Sequence, residues 1–338
     1  MRKGLTTRLP SKALFLGTVC HDSLDRFHLV AADLLPKNRP AYMEKCLQET
    51  WKMELERLRG LLTPAELNDA AVQISDVFDK AEGILQNHIS WAETNIFPRY
   101  AIETTEQDFV IPFMEKEGLA FAGKYDVIAR HRQTGQYWLI DYKISAAGAE
   151  WYTQYLQSLD DQAKAYSWAG RELYGDAFGG IAFIIVRSKP PSIPKVLKDG
   201  TLSRAMNQDT TWPIFKAQLD KIGMRQEAYH DVRANLEARE KTKPFNTMVM
   251  MKFPDETLDL FEASLKHVVR EMMNPVIYPN PSFMTCHMCS FREPCELTMR
   301  YGSDNPIVLR SLAEKFVVGR YVQDARELLE MTSYDNNG

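Results

Sequence analysis

Two short runs of apolar residues restrict the fold of this chain more than any other feature of its sequence. Residues 138–140 (Trp-Leu-Ile) and 181–186 (Ile-Ala-Phe-Ile-Ile-Val) are apolar at every position, as expected for central strands that are buried on both faces. Between the two runs, residues 150–174 carry apolar and aromatic side chains at helical spacing. The order strand, helix, strand predicts an α/β core.

Further strands and many helices are predicted around this core. Two strands are expected at 108–113 and 119–128, and turn residues at 133–136 connect the second of them to a strand at 137–144. Apolar residues at helical spacing predict the remaining elements as helices, which cover 17–29, 42–62, 65–94, 212–222, 226–239, 255–273 and 307–331.

The sequence shows no internal repeat and no clear linker, so we expect one domain over residues 1–338. Its predicted segments are a helical part at 1–105, the α/β core at 106–187, a basic loop with helices at 188–280, a cysteine cluster at 281–300 and a helical tail at 301–338.

Composition limits the class of protein. Of the 338 residues, 45% are hydrophobic and 25% are charged, which are ordinary values for a globular protein. The net charge is -4, so any contact with a nucleic acid must come from local clusters of basic residues. Five cysteines are too few for a disulfide scaffold, and no run reaches the roughly 18 apolar residues of a membrane span. The N-terminus has no good signal peptide, and we therefore expect a cytoplasmic protein without a membrane partner.

Three charged residues lie on neighbouring strands of the predicted core. Asp141 and Lys143 come directly after the apolar run at 138–140, and alternate residues of a strand share a face. Asp126 lies on the preceding strand, and a hairpin turning near Gly135 can bring it next to Asp141. Two carboxylates attract a hard divalent cation, while a lysine can hold an attacking water or neutralise charge on phosphorus. These groups are what metal-assisted hydrolysis of a phosphodiester bond requires.

A simpler interpretation exists for these charges. A lone D-x-K triplet is most often an ion pair at an exposed strand end, where it contributes little. In this chain the charged groups directly follow an apolar strand, and a second acid lies across the predicted hairpin. Because buried charges need a partner or a metal ion, the sequence favours the metal site.

Further motifs occur in a fixed order around these residues. In chain order they are G-T-V-C-H at 17–21, Asp126, D-Y-K at 141–143, Q-A-K-A-Y at 162–166, and C-x-x-C followed by a third cysteine at 286–295. In type and order they resemble the RecB-like branch of the PD-(D/E)XK nuclease superfamily, especially phage and CRISPR-associated exonucleases with a cysteine cluster. The resemblance covers roughly residues 4–295. Each motif is weak alone, but five in the right order form a specific signal.

This resemblance implies a fold and a metal site. The fold would be a small mixed central β-sheet flanked by helices, like the core of restriction endonucleases, with large helical additions at both ends. Asp126 and Asp141 would bind Mg²⁺ or Mn²⁺. His21 would be an additional metal ligand, although a single histidine on a helix is more often an ordinary surface or core-edge residue.

The resemblance also implies the other catalytic groups and the activity. Lys143 would position the attacking water, while Gln162 and Tyr166, four residues apart on one helical face, would contact the DNA phosphate or the surroundings of Lys143. The implied protein is a metal-dependent DNA exonuclease that acts on single strands or duplex ends in recombination, repair or phage DNA processing. An endonuclease of the same superfamily and a non-catalytic DNA-binding subunit are the alternatives. Partners in a recombination or CRISPR-adaptation complex are further candidates.

Three cysteines lie close together near the C-terminus. Cys286, Cys289 and Cys295 offer soft thiolate ligands that suit zinc or iron–sulfur iron. By the resemblance they would hold a 4Fe–4S cluster that joins the C-terminal segment to the core, and a Zn²⁺ site completed by His287 is the alternative. The fourth ligand stays open, because related proteins take it from a segment before the histidine motif; Cys20 is the first substitute.

A basic segment at 187–204 is a candidate for contact with DNA phosphates. It contains five basic residues and one acid, for a net charge of +4, and phosphate binding requires such local positive charge. An ordinary solvated loop is the alternative interpretation.

Overall fold

A computed structural model of the chain describes residues 5–7, 11–146, 160–273, 286, 289 and 291–318, with the backbone alone at 5–7 and 314–318. The chain divides into two units. The larger comprises Lys12–Glu56 and Val72–Lys266, and the smaller comprises Met1–Ser11, Arg57–Ala71 and His267–Gly338. The single domain expected from the sequence stays a prediction.

Helices precede the sheet, as the sequence predicts. They are α1 (Lys12–Ala31), α2 (Arg39–Leu61), α3 (Pro64–Ile74) and α4 (Val77–Asn95). The single helix expected over 65–94 is wrong, since it is interrupted at Ser75 and Asp76. The hydroxyl of Ser75 donates to the carbonyl of Val72, and such local side-chain bonds compete with the helical backbone pattern.

Five strands form the central sheet of the larger unit, in the order β2, β3, β4, β5, β6. Their bounds are β2 (Tyr100–Pro112), β3 (Ala120–His131), β4 (Tyr137–Ser145), β5 (Phe178–Arg187) and β6 (Asn246–Met251). β4 and β5 run parallel, and the other neighbouring pairs are antiparallel. Helix α5 (Asp161–Tyr174) lies between β4 and β5 in the chain; the earlier part of the helix predicted at 150–174 lies outside the described residues. The mixed sheet flanked by helices confirms the predicted fold class.

β4 and β5 are the buried centre of the sheet, as their apolar runs predict. Every residue of β5 except Arg187 is buried, and Leu139 and Ile140 of β4 are each 1% exposed. Close packing at this centre requires a glycine at one point. Gly180 has a φ of +140°, and a side chain there would collide with the backbone carbonyl of Met251 on β6.

The sequence predicts the helices after β5 but not the last strand of the sheet. Helices α6 (Trp212–Lys221), α7 (His230–Thr242) and α8 (Asp255–Met272) match the expectation within a few residues. β6, an edge strand, has three methionines in its six residues. Methionine is not a strong strand former, so strand propensity gives little signal there.

The smaller unit contains two helices and a two-stranded sheet. The helices are α9 (Arg292–Tyr301) and α10 (Pro306–Lys315), and strand β1 (Leu5–Thr7) pairs antiparallel with β7 (Phe316–Val318). The tail predicted as helical over 307–331 is therefore helical only to Lys315 in its described part, and its remainder lies outside the described residues. Among the helices that the structure describes, none is long and apolar enough to cross a membrane.

Candidate active site

A cleft of about 440 Å³ in the larger unit is lined by residues of α1, β3, β4 and α5. Its walls include each residue predicted to act in catalysis or to bind the divalent cation, namely His21, Asp126, Asp141, Lys143, Gln162 and Tyr166. The fold therefore brings His21, Gln162 and Tyr166, which only the order of motifs connected to the site in the sequence, to the three charged residues of β3 and β4.

Asp141 and Lys143 of β4 lie next to each other in the cleft. The paired part of β3 and β4 ends at Val127 and Ile140, so these charged side chains follow the point where the ladder stops. Oδ2 of Asp141 lies 2.7 Å from Nζ of Lys143. The same Nζ donates to Oε1 of Gln162 at 2.8 Å, and Nε2 of Gln162 donates to Oδ1 of Asp141 at 3.3 Å. Three side chains thus form a closed ring of contacts that fixes the ammonium group.

Asp126 of β3 and His21 of α1 form a second pair in the cleft. Oδ2 of Asp126 accepts a hydrogen bond from the backbone N–H of Tyr142 at 2.9 Å and lies 3.2 Å from Nδ1 of His21. The side chains of His21 and Asp126 are 29% and 21% exposed, against 4% for Asp141. With the side chain of Lys143 at 23%, Asp141 is the one of these four side chains that is nearly closed to solvent.

The start of α5 is fixed by a helix cap. The carboxylate of Asp160 accepts hydrogen bonds from the backbone N–H groups of Gln162 at 2.7 Å and Ala163 at 3.2 Å. A capping carboxylate satisfies free N–H groups and complements the helix dipole. It holds Gln162 at the cleft, and Tyr166 follows one turn later with its ring edge-on to Tyr125 at 5.3 Å.

Burial and charge together set the ionisation of the site. Burial raises the pKa of Asp141 to about 7, and the negative charge of Asp126 adds to the effect. Burial alone would lower the pKa of Lys143, but the charge of Asp141 raises it above its usual value. Burial also opposes charge on His21 and Asp126, yet their mutual hydrogen bond raises the pKa of His21 and lowers that of Asp126. The two carboxylates repel each other, and a cation would relieve that repulsion.

The chemistry of these donors fits a small divalent cation. Carboxylate oxygens and an imidazole nitrogen are ligands that Mg²⁺ and Mn²⁺ accept, and Mg²⁺ usually retains several waters beside one or two carboxylates. In the described part of the chain, no three His, Cys, Asp or Glu side chains form a complete metal-ligand group. The donors contact each other instead, as His21 with Asp126 and Asp141 with Lys143, so few protein ligands would be available for a cation.

The three clustered cysteines belong to the smaller unit. The backbone N–H of Cys289 donates to the carbonyl of Cys286 at 3.3 Å, and the N–H of Cys295 donates to the carbonyl of Phe291 at 2.9 Å. The cysteines are free thiols. Cys286 and Cys289 thus lie in a turn that precedes α9, and Cys295 lies in the first turn of α9. Their role as cluster ligands stays a prediction.

Cys20 lies in the larger unit, on α1 next to His21. Its side chain is 0% exposed, and burial raises the pKa of its thiol to about 12. The sulfur therefore stays protonated unless a metal ion neutralises it. His287, the alternative ligand in a zinc site, lies outside the described residues.

Much of the positive charge in the segment 187–204 is already neutralised. Three of its basic residues pair with acids, Arg187 and Lys189 with Asp209 and Arg204 with Asp231. Within the described residues, Lys195 and Lys198 form no ion pair. The net charge of the segment therefore overstates what it offers to phosphates, and these two lysines are its best candidates for DNA contact.

Two residues that the sequence analysis does not single out support the site. Asp160 precedes the helical pattern of α5, and an aspartate at that position is an N-cap signal. Tyr142 is the middle residue of the D-Y-K motif, and strand alternation places it on the opposite face from its charged neighbours. It is 2% exposed and is one of the residues that line the cleft.

A small mixed sheet that presents two carboxylates and a lysine where adjacent strands separate is typical of nucleases. The chain matches the family model of the PD-(D/E)XK nuclease superfamily over residues 2–296 and belongs to this superfamily. Its members are nucleases, which implies a DNA substrate, and they typically use Mg²⁺ or Mn²⁺. The match confirms the restriction-endonuclease-like core and the nuclease class that the sequence predicts. A search of curated proteins finds no significant match.

Proposed function

We propose that this chain is a metal-dependent DNA exonuclease of the RecB-like type. The observation that carries the proposal is the ring of contacts in which Nζ of Lys143 lies 2.7 Å from Asp141 and 2.8 Å from Gln162. Asp126 and His21 line the same cleft. A subunit that only bound DNA would not need this complete set of groups, and the set supports catalysis over the non-catalytic alternative.

The proposed roles follow from the positions of the side chains. Asp126 and Asp141 would hold Mg²⁺ or Mn²⁺. His21 would be the third ligand, and its nitrogen would favour Mn²⁺ over Mg²⁺. The bound cation supplies a Lewis acid that polarises the phosphate and lowers the pKa of bound water. Lys143, held in place by Gln162, orients the attacking water and compensates negative charge on the phosphate. Tyr166 lines the cleft one helical turn beyond Gln162 and would contact the DNA backbone.

The test is cleavage of end-labelled linear DNA, single-stranded and double-stranded, with Mg²⁺, Mn²⁺ or EDTA. We expect the wild type to degrade DNA with either metal and not with EDTA. D141N and K143A should lose at least about 100-fold in rate, because they remove groups that stabilise the transition state. D161N and K116A change an exposed carboxylate and an exposed lysine and should cleave like the wild type. Cleavage by folded D141N at the wild-type rate would overturn the proposal.

Circular DNA distinguishes the proposed exonuclease from the endonuclease alternative. An exonuclease needs an end, so closed circular single-stranded DNA should survive under conditions that degrade the same strand after linearisation. Loss of the circle would favour the endonuclease. If linear DNA binds tightly but survives in every metal, the chain is a DNA-binding subunit without activity.

We also propose that Cys286, Cys289 and Cys295 hold a 4Fe–4S cluster, with the fourth ligand open and Cys20 its first candidate. The test is iron, sulfide and zinc analysis, with visible absorbance, of protein purified without oxygen. C289S should lose the iron, whereas C46S, at a buried cysteine outside the cluster, should keep it. Zinc without iron would overturn the cluster in favour of a zinc site.

The proposed activity suits recombination, repair or phage DNA processing. Protein partners in a recombination or CRISPR-adaptation complex are part of the same proposal, and its support is the resemblance of the motifs.

A further inference from the structure

Tyr142, a buried residue in the wall of the cleft, is anchored by a second histidine of α1. Its hydroxyl and Nε2 of His28 are joined by a hydrogen bond of 2.8 Å, and the two rings stack at 5.8 Å with an interplanar angle of 21°. Both residues are 2% exposed. A buried hydrogen bond of this kind has one favoured length and direction, so it fixes the tyrosine more narrowly than apolar packing would.

A second contact holds the tyrosine from α4. The ring of His88 lies edge-on to Tyr142 at 5.3 Å, and Nδ1 of His88 is 2.9 Å from Oδ1 of Asn246 on β6. His88 is 0% exposed. The tyrosine is therefore held by residues of two helices, α1 and α4.

Tyr142 also contacts Asp126 and His21 in the cleft. Its backbone N–H donates to Oδ2 of Asp126 at 2.9 Å, and its ring lies edge-on to His21 at 6.4 Å. His21 and His28 are seven residues apart on α1, which is about two helical turns. Two histidines on the same side of one helix therefore contact the same tyrosine. Tyr142 is thus in contact with both residues of the pair formed by His21 and Asp126.

We propose that Tyr142 and His28 are positioning residues that set the affinity of the cleft for its divalent cation. The hydrogen bond between them fixes the backbone N–H that holds Asp126, and the tyrosine ring fixes the position of His21. This inference rests on the proposed function, because it takes Asp126 and His21 as ligands. Residues that orient metal ligands typically change metal affinity 10–100-fold when they are removed.

The test measures Mn²⁺ binding by calorimetry and thermal unfolding of the metal-free protein, side by side. Y142F should lower the midpoint of unfolding and weaken Mn²⁺ binding about 10-fold. The double variant H28F/Y142F replaces both polar partners with apolar rings of similar shape, which is often nearly neutral for stability. We expect it to recover the midpoint of unfolding but to retain the weak Mn²⁺ binding. H28Q keeps a hydrogen-bonding nitrogen at the position of Nε2 and should bind Mn²⁺ within about threefold of the wild type.

The control is Y229F, since Tyr229 is also 2% exposed and its hydroxyl also forms a buried hydrogen bond, to the backbone of Leu202. Y229F should lower the midpoint of unfolding with no change in Mn²⁺ binding. If Mn²⁺ affinity recovers together with stability in H28F/Y142F, or if Y142F binds Mn²⁺ like the wild type, the positioning role is overturned. If the wild type binds no Mn²⁺, or if the D126N/D141N variant binds Mn²⁺ as tightly as the wild type, the proposed function itself is overturned, and this inference with it.

Discussion

Gln162 is the residue that joins the two charges of β4. It accepts from Lys143 through one atom of its amide and donates to Asp141 through the other. An amide can do both at once, whereas a carboxylate only accepts and an ammonium only donates. The residue type at this position is therefore as constrained as the charged residues beside it.

Q162A should slow DNA cleavage about 10- to 100-fold while changing the KM for DNA little, because it releases Lys143 without removing a charge. Steady-state kinetics with end-labelled DNA measures both constants. Q73A, at an exposed glutamine of the larger unit, is the control. A large rise in KM with an unchanged kcat would show that Gln162 binds DNA instead of positioning the lysine.

Sequence patterns predict residues of the site to different degrees. Strand alternation places Asp141 and Lys143 on one face, and a hairpin brings Asp126 near them, so local geometry is enough for these three. The contact of His21 with Asp126 joins α1 to β3, and no local pattern encodes it; only the resemblance predicts it. The bond between His28 and Tyr142 spans 114 positions, and neither residue carries a signal of it.

At the scale of elements, the segment after β5 connects the sheet to the proposed DNA path. The backbone N–H of Ser188 donates to the carbonyl of Ser145 at the end of β4, two residues beyond Lys143. The segment therefore leaves the sheet near the cleft. Lys195 and Lys198, which form no ion pair with any residue that the structure describes, are both exposed.

K195A/K198A should bind single-stranded DNA less tightly and with a weaker dependence on salt. Each lost phosphate contact makes the negative slope of log K against log salt less steep by about 0.7. The slope of the double variant should therefore be less steep than that of the wild type by about 1.4. Fluorescence anisotropy at several salt concentrations measures the slope. Every protein compared carries the D141N substitution, and every sample contains EDTA, so that the DNA is not cleaved. K37A/K116A removes two exposed lysines elsewhere and should keep the wild-type slope. An equal slope in K195A/K198A would show that the segment is an ordinary solvated loop.

Elements with a strong pattern are predicted well, and those decided by tertiary contacts are not. β4 and β5 follow from apolar runs, because a central strand excludes polar side chains on both faces. The break between α3 and α4 depends on the side-chain bond of Ser75. Strand β6 depends on the free edge of β5, with which it pairs. Neither condition is visible in local sequence.

At the scale of the whole molecule, two buried histidines link stability to pH. Burial lowers the pKa of His28 to about 3 and that of His88 to about 4, against about 6.5 in an unfolded chain. Below pH 6.5 the unfolded chain takes up protons that the folded chain does not. The stability that these histidines contribute is therefore complete above pH 6.5 and is lost as the pH falls toward 4.

We expect the free energy of unfolding to fall by about 2 kcal/mol between pH 6.5 and pH 5.5 from these two histidines together. Urea unfolding at pH 7.5, 6.5 and 5.5 measures the change. H28F/Y142F lacks one of the histidines and should lose about half of this pH dependence. An identical pH dependence in wild type and variant would show that His28 is not held neutral in the fold.

The central claim is that residues from β3 and β4 share one cation, and crystals soaked in Mn²⁺ test it most directly. The anomalous signal of manganese locates the ion without assumptions about the protein. The account predicts a peak within bonding distance of carboxylate oxygens of both Asp126 and Asp141, with His21 turned from Asp126 toward the ion. A peak bound to only one of the carboxylates, or no peak in the cleft at a saturating concentration, would contradict it.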